Sequence, residues 1–122
     1  MKSAARFRRW QFGRRAEALC ALMLRLRGYR ILARDLRTPL GEIDIVAHRG
    51  QVLAFIEVKA RDTAIEADEV LGRRQRRRIE RAAQTFLQGR PDLGGYELRF
   101  DIMLARPWRL PTHLADAWRM GE

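Results

Sequence analysis

Apolar and polar positions recur in two periods along this chain. Leu19, Leu22, Met23 and Leu26 repeat at spacings of three and four, which predicts a helix over 14–27, with Gly28 as its stop. Tyr29–Arg34 reads as a short strand, and Thr38-Pro39-Leu40-Gly41 as a turn. Glu42–His48 and Gln51–Ala60 predict two strands joined in a hairpin at Arg49-Gly50. Residues 61–68 read as a polar loop, with Asp68 as an N-cap. Leu71, Gln75, Ile79, Ala82 and Phe86 share one face of a helix predicted over 69–88, stopped by Gly89 and Pro91. Strict alternation returns at Tyr96–Ala105, where Tyr96, Leu98, Phe100, Ile102 and Leu104 interleave with Glu97, Arg99, Asp101 and Met103. The tail, with Trp108 and Leu114–Trp118, predicts a short strand and a helical turn. The order is helix, three strands, helix, strand: an α/β domain with a sheet covered by helices.

The chain has 122 residues, the size of one domain, and 47% are hydrophobic, enough for a packed core. Residues 1–12 read as a basic N-terminal arm and residues 13–122 as a single domain. One cysteine, Cys20, excludes an internal disulfide framework and a cysteine zinc site, and reads as a small core residue. His48 and His113 stand far apart and read as loop histidines. No run approaches the roughly 20 apolar residues of a membrane span. Arg8-Arg9-Trp10-Gln11-Phe12 faintly resembles a twin-arginine export signal. The apolar run behind it is short and leads into Arg25 and Arg27, so the expectation is a cytoplasmic protein with no membrane partner.

Charge changes the picture more than composition does. The net charge is +10. Residues 1–34 hold ten bases against Glu17, residues 35–72 four bases against eight acids, and residues 73–81 six arginines against Glu80. An acidic middle between two basic blocks points to a polyanionic partner, with nucleic acid first. Lys2 and Lys59 are the only lysines among the 25 bases, which makes Lys59 conspicuous.

The candidate chemistry lies in the acidic middle. Glu42 and Asp44 stand two apart in Gly41-Glu42-Ile43-Asp44-Ile45, and Glu57 and Lys59 two apart in Phe55-Ile56-Glu57-Val58-Lys59, so each pair is expected on one face of its strand. An Arg49-Gly50 hairpin places Asp44 opposite Phe55 and diagonal to Glu57, and Glu42 opposite Glu57. Clustered carboxylates repel and cost desolvation, and a divalent cation such as Mg²⁺ relieves both. A lysine there can contact phosphate or a water with its compact ammonium. The alternative is a surface ion pair beside ordinary edge acids. Gln75 interrupts an apolar helical face and is expected to point at the sheet, unless it belongs to a frayed first turn. Glu17 is either an acid favoured by a helix dipole or a further carboxylate facing the sheet. Arg99 and Asp101 read as a structural pair. Arg73, Arg74, Arg76, Arg77 and Arg78 are either a phosphate-contacting surface or a solvated face.

These residues carry a family resemblance. Gly13-x-x-Ala16-Glu17, Gly28-Tyr29-x-Ile31-Leu32, Gly41-Glu42-Ile43-Asp44-Ile45, Phe55-Ile56-Glu57-Val58-Lys59-x-Arg61 and Arg99-Phe100-Asp101, in this order, resemble the YraN-like family of uncharacterised bacterial proteins over about residues 13–105. That family resembles Holliday-junction resolvases and the PD-(D/E)xK nucleases. The resemblance implies a restriction-endonuclease-like αβββαβ core, a mixed central sheet flanked by helices. It implies Asp44 and Glu57 as metal-binding acids, Lys59 as the lysine that positions or activates water, Glu17 as the helical glutamate, and Gln75 as the polar residue of the following helix. Ala16, Asp35 and Arg74 depart from the family's usual glycine, asparagine and lysine, and residues 62–68 lack an expected glycine.

The leading expectation is a Mg²⁺- or Mn²⁺-dependent DNA endonuclease, acting on branched or damaged DNA. Asp44, Glu57 and Glu42 would hold metal; Lys59, Gln75 and Glu17 would complete the catalytic set. Arg73, Arg74, Arg76, Arg77 and Arg78, with Arg14 and Arg15, would hold DNA or RNA. A homodimer is expected by analogy with resolvases. The rivals are a catalytically inactive nucleic-acid-binding module on a nuclease fold, and a protein-partner adaptor anchored by Trp10, Trp108 and Trp118.

Overall fold

The computed structural model describes residues 2–61 and 71–122, and only the backbone of residues 2–12. Helix α1 (Lys2–Leu26) precedes strands β1 (Arg30–Thr38), β2 (Gly41–Arg49) and β3 (Val52–Ala60). Helix α2 (Arg73–Gln88) and a 3-10 turn (Pro91–Leu93) lead to β4 (Glu97–Ala105) and β5 (Thr112–Trp118). The strands form one sheet in the order β1-β2-β3-β4-β5. β3 and β4 run parallel across the α2 crossover; every other pair is antiparallel. This is a mixed sheet flanked by two helices, consistent with a restriction-endonuclease-like αβββαβ core, with β5 added at its edge.

Each face of the sheet has its own core. Ile43, Phe55, Phe100 and Trp118 pack with Ile79, Ala82 and Ala83 of α2. Ile45, Ala54, Ile56 and Met103 pack with Cys20, Ala21 and Leu24 of α1. Helix α1 ends in a Schellman motif. The Tyr29 amide donates to the Leu24 carbonyl at 2.9 Å and the Gly28 amide to the Arg25 carbonyl at 3.1 Å, with Gly28 at φ +90°. The same turn presses Tyr29 against Leu24 in the α1-side core.

Several elements differ from the pattern-based expectation. Helix α1 starts at Lys2, so the segment read as a basic arm continues its backbone into the helix expected over 14–27. The buried stripe of α1 is also rotated: Ala16, Cys20, Ala21, Met23 and Leu24 are buried, whereas Leu19, Leu22 and Leu26 are 40%, 50% and 79% exposed. Small side chains let the helix lie close to the sheet, and the bulky leucines are turned outward. β1 runs to Thr38 because Thr38 pairs with Gly41 across the turn, where its Oγ accepts from the Leu40 and Gly41 amides. Helix α2 begins at Arg73, four residues after the expected 69; the Asp68 N-cap and most of the 61–68 loop lie outside the described residues. In the tail, the expected strand forms as β5 over Thr112–Trp118, and Leu114–Trp118 take no helical turn; Trp108 lies in the turn before the strand. His113 therefore sits in a strand, paired with Met103.

Candidate active site

The β2–β3 hairpin sets the site. Arg49 pairs with Val52 and Ile45 with Ile56, so the turn falls at Gly50-Gln51 and the register is shifted by two from the expected one. A shift of two preserves the parity of the strands. The same register, continued, sets Asp44 across from Glu57 rather than from Phe55. The regular pairing stops there: instead of a backbone carbonyl, Asp44 Oδ2 accepts the Val58 amide at 2.7 Å. Alternation also breaks at Asp44, since Ile43 and Val46 pack on the α2 side and Ile45 and Ala47 on the α1 side. The carboxylate thus lines clefts on both sides of the sheet.

Glu57 is buried, and β3 turns it toward α2. Its Oε1 lies 3.5 Å from Lys59 Nζ and accepts from Gln75 Nε2 at 3.5 Å. Gln75 thus points at the sheet, as the interruption in its helical face implied. Burial is the main cause of a Glu57 carboxyl pushed up to about 8; the nearby Asp44 charge adds to it and Lys59 offsets part. Burial likewise raises Asp44, against the Val58 hydrogen bond. Glu17 reaches the same sheet end from α1: burial and then Asp44 raise its carboxyl, while Arg34, 3.4 Å away, offsets part. Burial pushes the Cys20 thiol up to about 12, which suits an inert core thiol.

A cleft of about 480 Å³ opens over Asp44 and Glu57, lined also by Glu42, Arg74, Gln75 and Arg78. Glu42 is exposed on its rim, not paired face to face with Glu57. Gly41 keeps the cleft narrow: a Cβ there would stand 2.5 Å from the Arg78 carbonyl oxygen, so β2 and α2 meet backbone to backbone. A second cleft of about 490 Å³ on the α1 side joins Asp44 to Glu17, Arg14 and Arg34.

The arginines divide by what they touch. Arg74 and Arg78, one turn apart, face the cleft. Arg73 and Arg15 are exposed. Arg76 donates to the Leu71 carbonyl at 3.0 Å and lies over Trp118. Arg77 is held by Glu80 and the Gly121 carbonyl. These two tie α2 to the C-terminal end of the chain, a structural duty that the residue pattern did not reveal. Trp118 is buried against Phe100, which removes it as an interface anchor. The side chain of Trp10 lies outside the described residues. Arg99 and Asp101 do pair, at 2.9 and 2.8 Å, and His113 and the Asp116 amide bond the same carboxylate. Burial alone would raise Asp101, but these hydrogen bonds outweigh it and hold the carboxyl below its ordinary value.

The donor set bears on a metal. A buried carboxylate, Glu57, and a half-buried one, Asp44, both with raised proton affinity and converging on an open cleft, offer what Mg²⁺ takes from a protein: one or two carboxylates, the remaining positions left to water and phosphate. Among the described residues, no group of three His, Cys, Asp or Glu side chains is close enough to form an all-protein cage. Among them, too, no helix is long and apolar enough to cross a membrane.

Comparison with known proteins points to one family. The model of the family described as "Uncharacterised protein family UPF0102" matches residues 16–105. A UPF0102 protein of Parvibaculum lavamentivorans is 54% identical over 110 residues, covering 90% of this chain and 83% of the relative. One from Paramagnetospirillum magneticum is 53% identical over 112 residues, 88% and 87% of the two chains. One from Mesorhizobium japonicum is 47% identical over 116 residues, 95% and 93% of the two.

Proposed function

We infer that this chain, which belongs to the uncharacterised family UPF0102, is a metal-dependent nuclease that hydrolyses phosphodiester bonds of DNA. The observation that carries the reading is the cleft in which Asp44, Glu57 and Gln75 meet under Arg74 and Arg78, with Lys59 3.5 Å from Glu57. Asp44 and Glu57 would hold Mg²⁺ or Mn²⁺, with Glu42 on the rim of the cleft and Glu17 on the α1 side of Asp44. A metal held there would supply Lewis-acid chemistry, polarising a phosphate and lowering the pKa of a water. The Val58 amide fixes one oxygen of Asp44 and so orients its carboxylate beside Glu57. Gln75 and Lys59 orient Glu57, and the Lys59 ammonium would donate to a phosphate oxygen as charge builds on it. Arg74 and Arg78 hold the flanking backbone phosphates.

A labelled set of single-stranded, duplex and four-way-junction DNA, incubated with Mg²⁺, Mn²⁺ or EDTA, tests this. Cleavage that needs metal and is lost in Glu57→Ala and Lys59→Ala is the expected result. Cutting that survives Glu57→Ala overturns the assignment. One observation favours a second reading, a binding module without catalysis: two carboxylates, not three, converge among the described residues. Tight binding without cutting in any metal would decide for it.

A further inference from the structure

Among the described residues, Trp108 is the most exposed large apolar side chain. It is 101% exposed, and its backbone takes φ +64°, a left-handed conformation that bulky side chains rarely adopt. It occupies the β4–β5 loop, between Arg106 and Arg109. No acid occurs in residues 102–115, and among the described residues neither arginine makes an ion pair. The ring covers no core: Trp108 follows Pro107 in a turn, where positive φ carries a conformational cost for a bulky residue, and the side chain is held outward. Such a strained outlier directs attention to function.

Topology gives the ring a place relative to the cleft. β3 and β4 are parallel, with Glu57 beside Ile102 and Ala60 beside Ala105, and the Arg61 amide extends the pairing to the Ala105 carbonyl. The β4–β5 loop therefore leaves the sheet at the end that carries Glu57 and Lys59. Glu57 to Ala60 is three residues, about 10 Å at about 3.3 Å per residue. Ala105 to Trp108 adds at most about another 10 Å. The ring thus lies within about 20 Å of the carboxylates, roughly six stacked nucleotides at about 3.4 Å each.

We propose that Trp108 is a stacking platform for an unpaired base, flanked by Arg106 and Arg109 as backbone clamps, and that the substrate reaches the cleft as single-stranded nucleic acid or through an unpaired segment. An exposed indole between two guanidinium groups that make no ion pair among the described residues is the combination that single strands take: a flat surface for the base and positive charge for the phosphates. A fully paired duplex hides its base faces and gains only the charge. The proposal rests on the nuclease reading for the role of the cleft alone, because stacking requires no cleavage.

The full chain is titrated in EDTA, without cleavage, against labelled oligothymidylate, oligouridylate and a duplex. Indole emission and anisotropy are followed together. Wild type is expected to show quenching with either single strand, and the two oligonucleotides show whether the sugar matters. Trp108→Ala should abolish most of the quenching and weaken single-strand binding about 5- to 150-fold, the range for losing one aromatic stack. Duplex binding should change by less than about twofold, and Trp108→Phe should keep most single-strand affinity. The exposed site leaves the fold intact, which circular dichroism of both variants checks; should the alanine variant unfold, the phenylalanine variant against Trp108→Leu carries the same comparison. Unchanged single-strand affinity, equal losses for single strand and duplex, or wild-type emission unmoved by oligonucleotide overturns the proposal. So does a protein self-association that Trp108→Ala abolishes while nucleic-acid affinity stays put. Absence of cleavage in every metal, with the Trp108 effect intact, removes the nuclease and leaves the platform.

Discussion

At the scale of single residues, the site is built around a tightly held proton. Burial and the Asp44 charge raise the Glu57 carboxyl to about 8, above its ordinary value of 4.5. The folded state therefore binds this proton more tightly than the unfolded chain does. The stabilisation is fully present below about 4.5 and is lost as pH rises through about 8. In EDTA, the melting temperature should fall between these limits, and Glu57→Gln should flatten the fall. Mg²⁺ should raise the melting temperature more at the alkaline end, where the carboxylates are free to take it; equal shifts at both ends would argue against metal at this pair. A contrasting carboxylate is Asp101, fully buried and paired with Arg99, His113 and the Asp116 amide. Asp101→Ala leaves Arg99 facing that pocket without its partner and should cost about 3–5 kcal/mol in urea unfolding. Alternation in the sequence was enough to set Glu57 and Lys59 on one face. It could not show Asp44 taking the Val58 amide, because that bond forms only where β2 stops pairing with β3.

At the scale of elements, two glycines hold the geometry. Gly28, at φ +90°, closes the Schellman turn of α1, and Gly28→Ala should cost about 1–2 kcal/mol of stability. Gly41 lets β2 touch the α2 backbone. Gly41→Ala must push α2 away at Arg78, costing about 1–3 kcal/mol and moving Arg74, Gln75 and Arg78 off the carboxylates. Its cleavage defect should therefore exceed what its melting temperature predicts, whereas Gly28→Ala should lose stability with activity retained in the cold. The strands were legible because a half-buried surface demands period two. The buried face of α1 was not. Leucines at helical spacing mark an apolar stripe, but the sheet accepts the stripe of small residues, Ala16, Cys20 and Ala21, because that one allows close approach.

At the scale of the whole molecule, charge is arranged around one end of the sheet. Arg74 and Arg78 line the cleft, whereas Arg76 and Arg77 are spent on Leu71, Trp118, Glu80 and Gly121. Replacing Arg74 and Arg78 with alanine should reduce the salt slope of DNA binding by about two, one for each phosphate no longer neutralised. Arg77→Ala should instead lower stability and leave that slope unchanged. By itself the sequence determined the element types, the α/β class with helices over a sheet, and the parity that turns Glu57 and Lys59 together, because these depend on local periodicity and on side chains two residues apart. Tertiary structure alone decided the hairpin register, the break at Asp44, the rotation of α1, and which arginines face the cleft and which brace the fold. Each of those depends on a partner distant along the chain, and packing distance and backbone hydrogen bonding, not residue type, choose between the arrangements that the sequence allows.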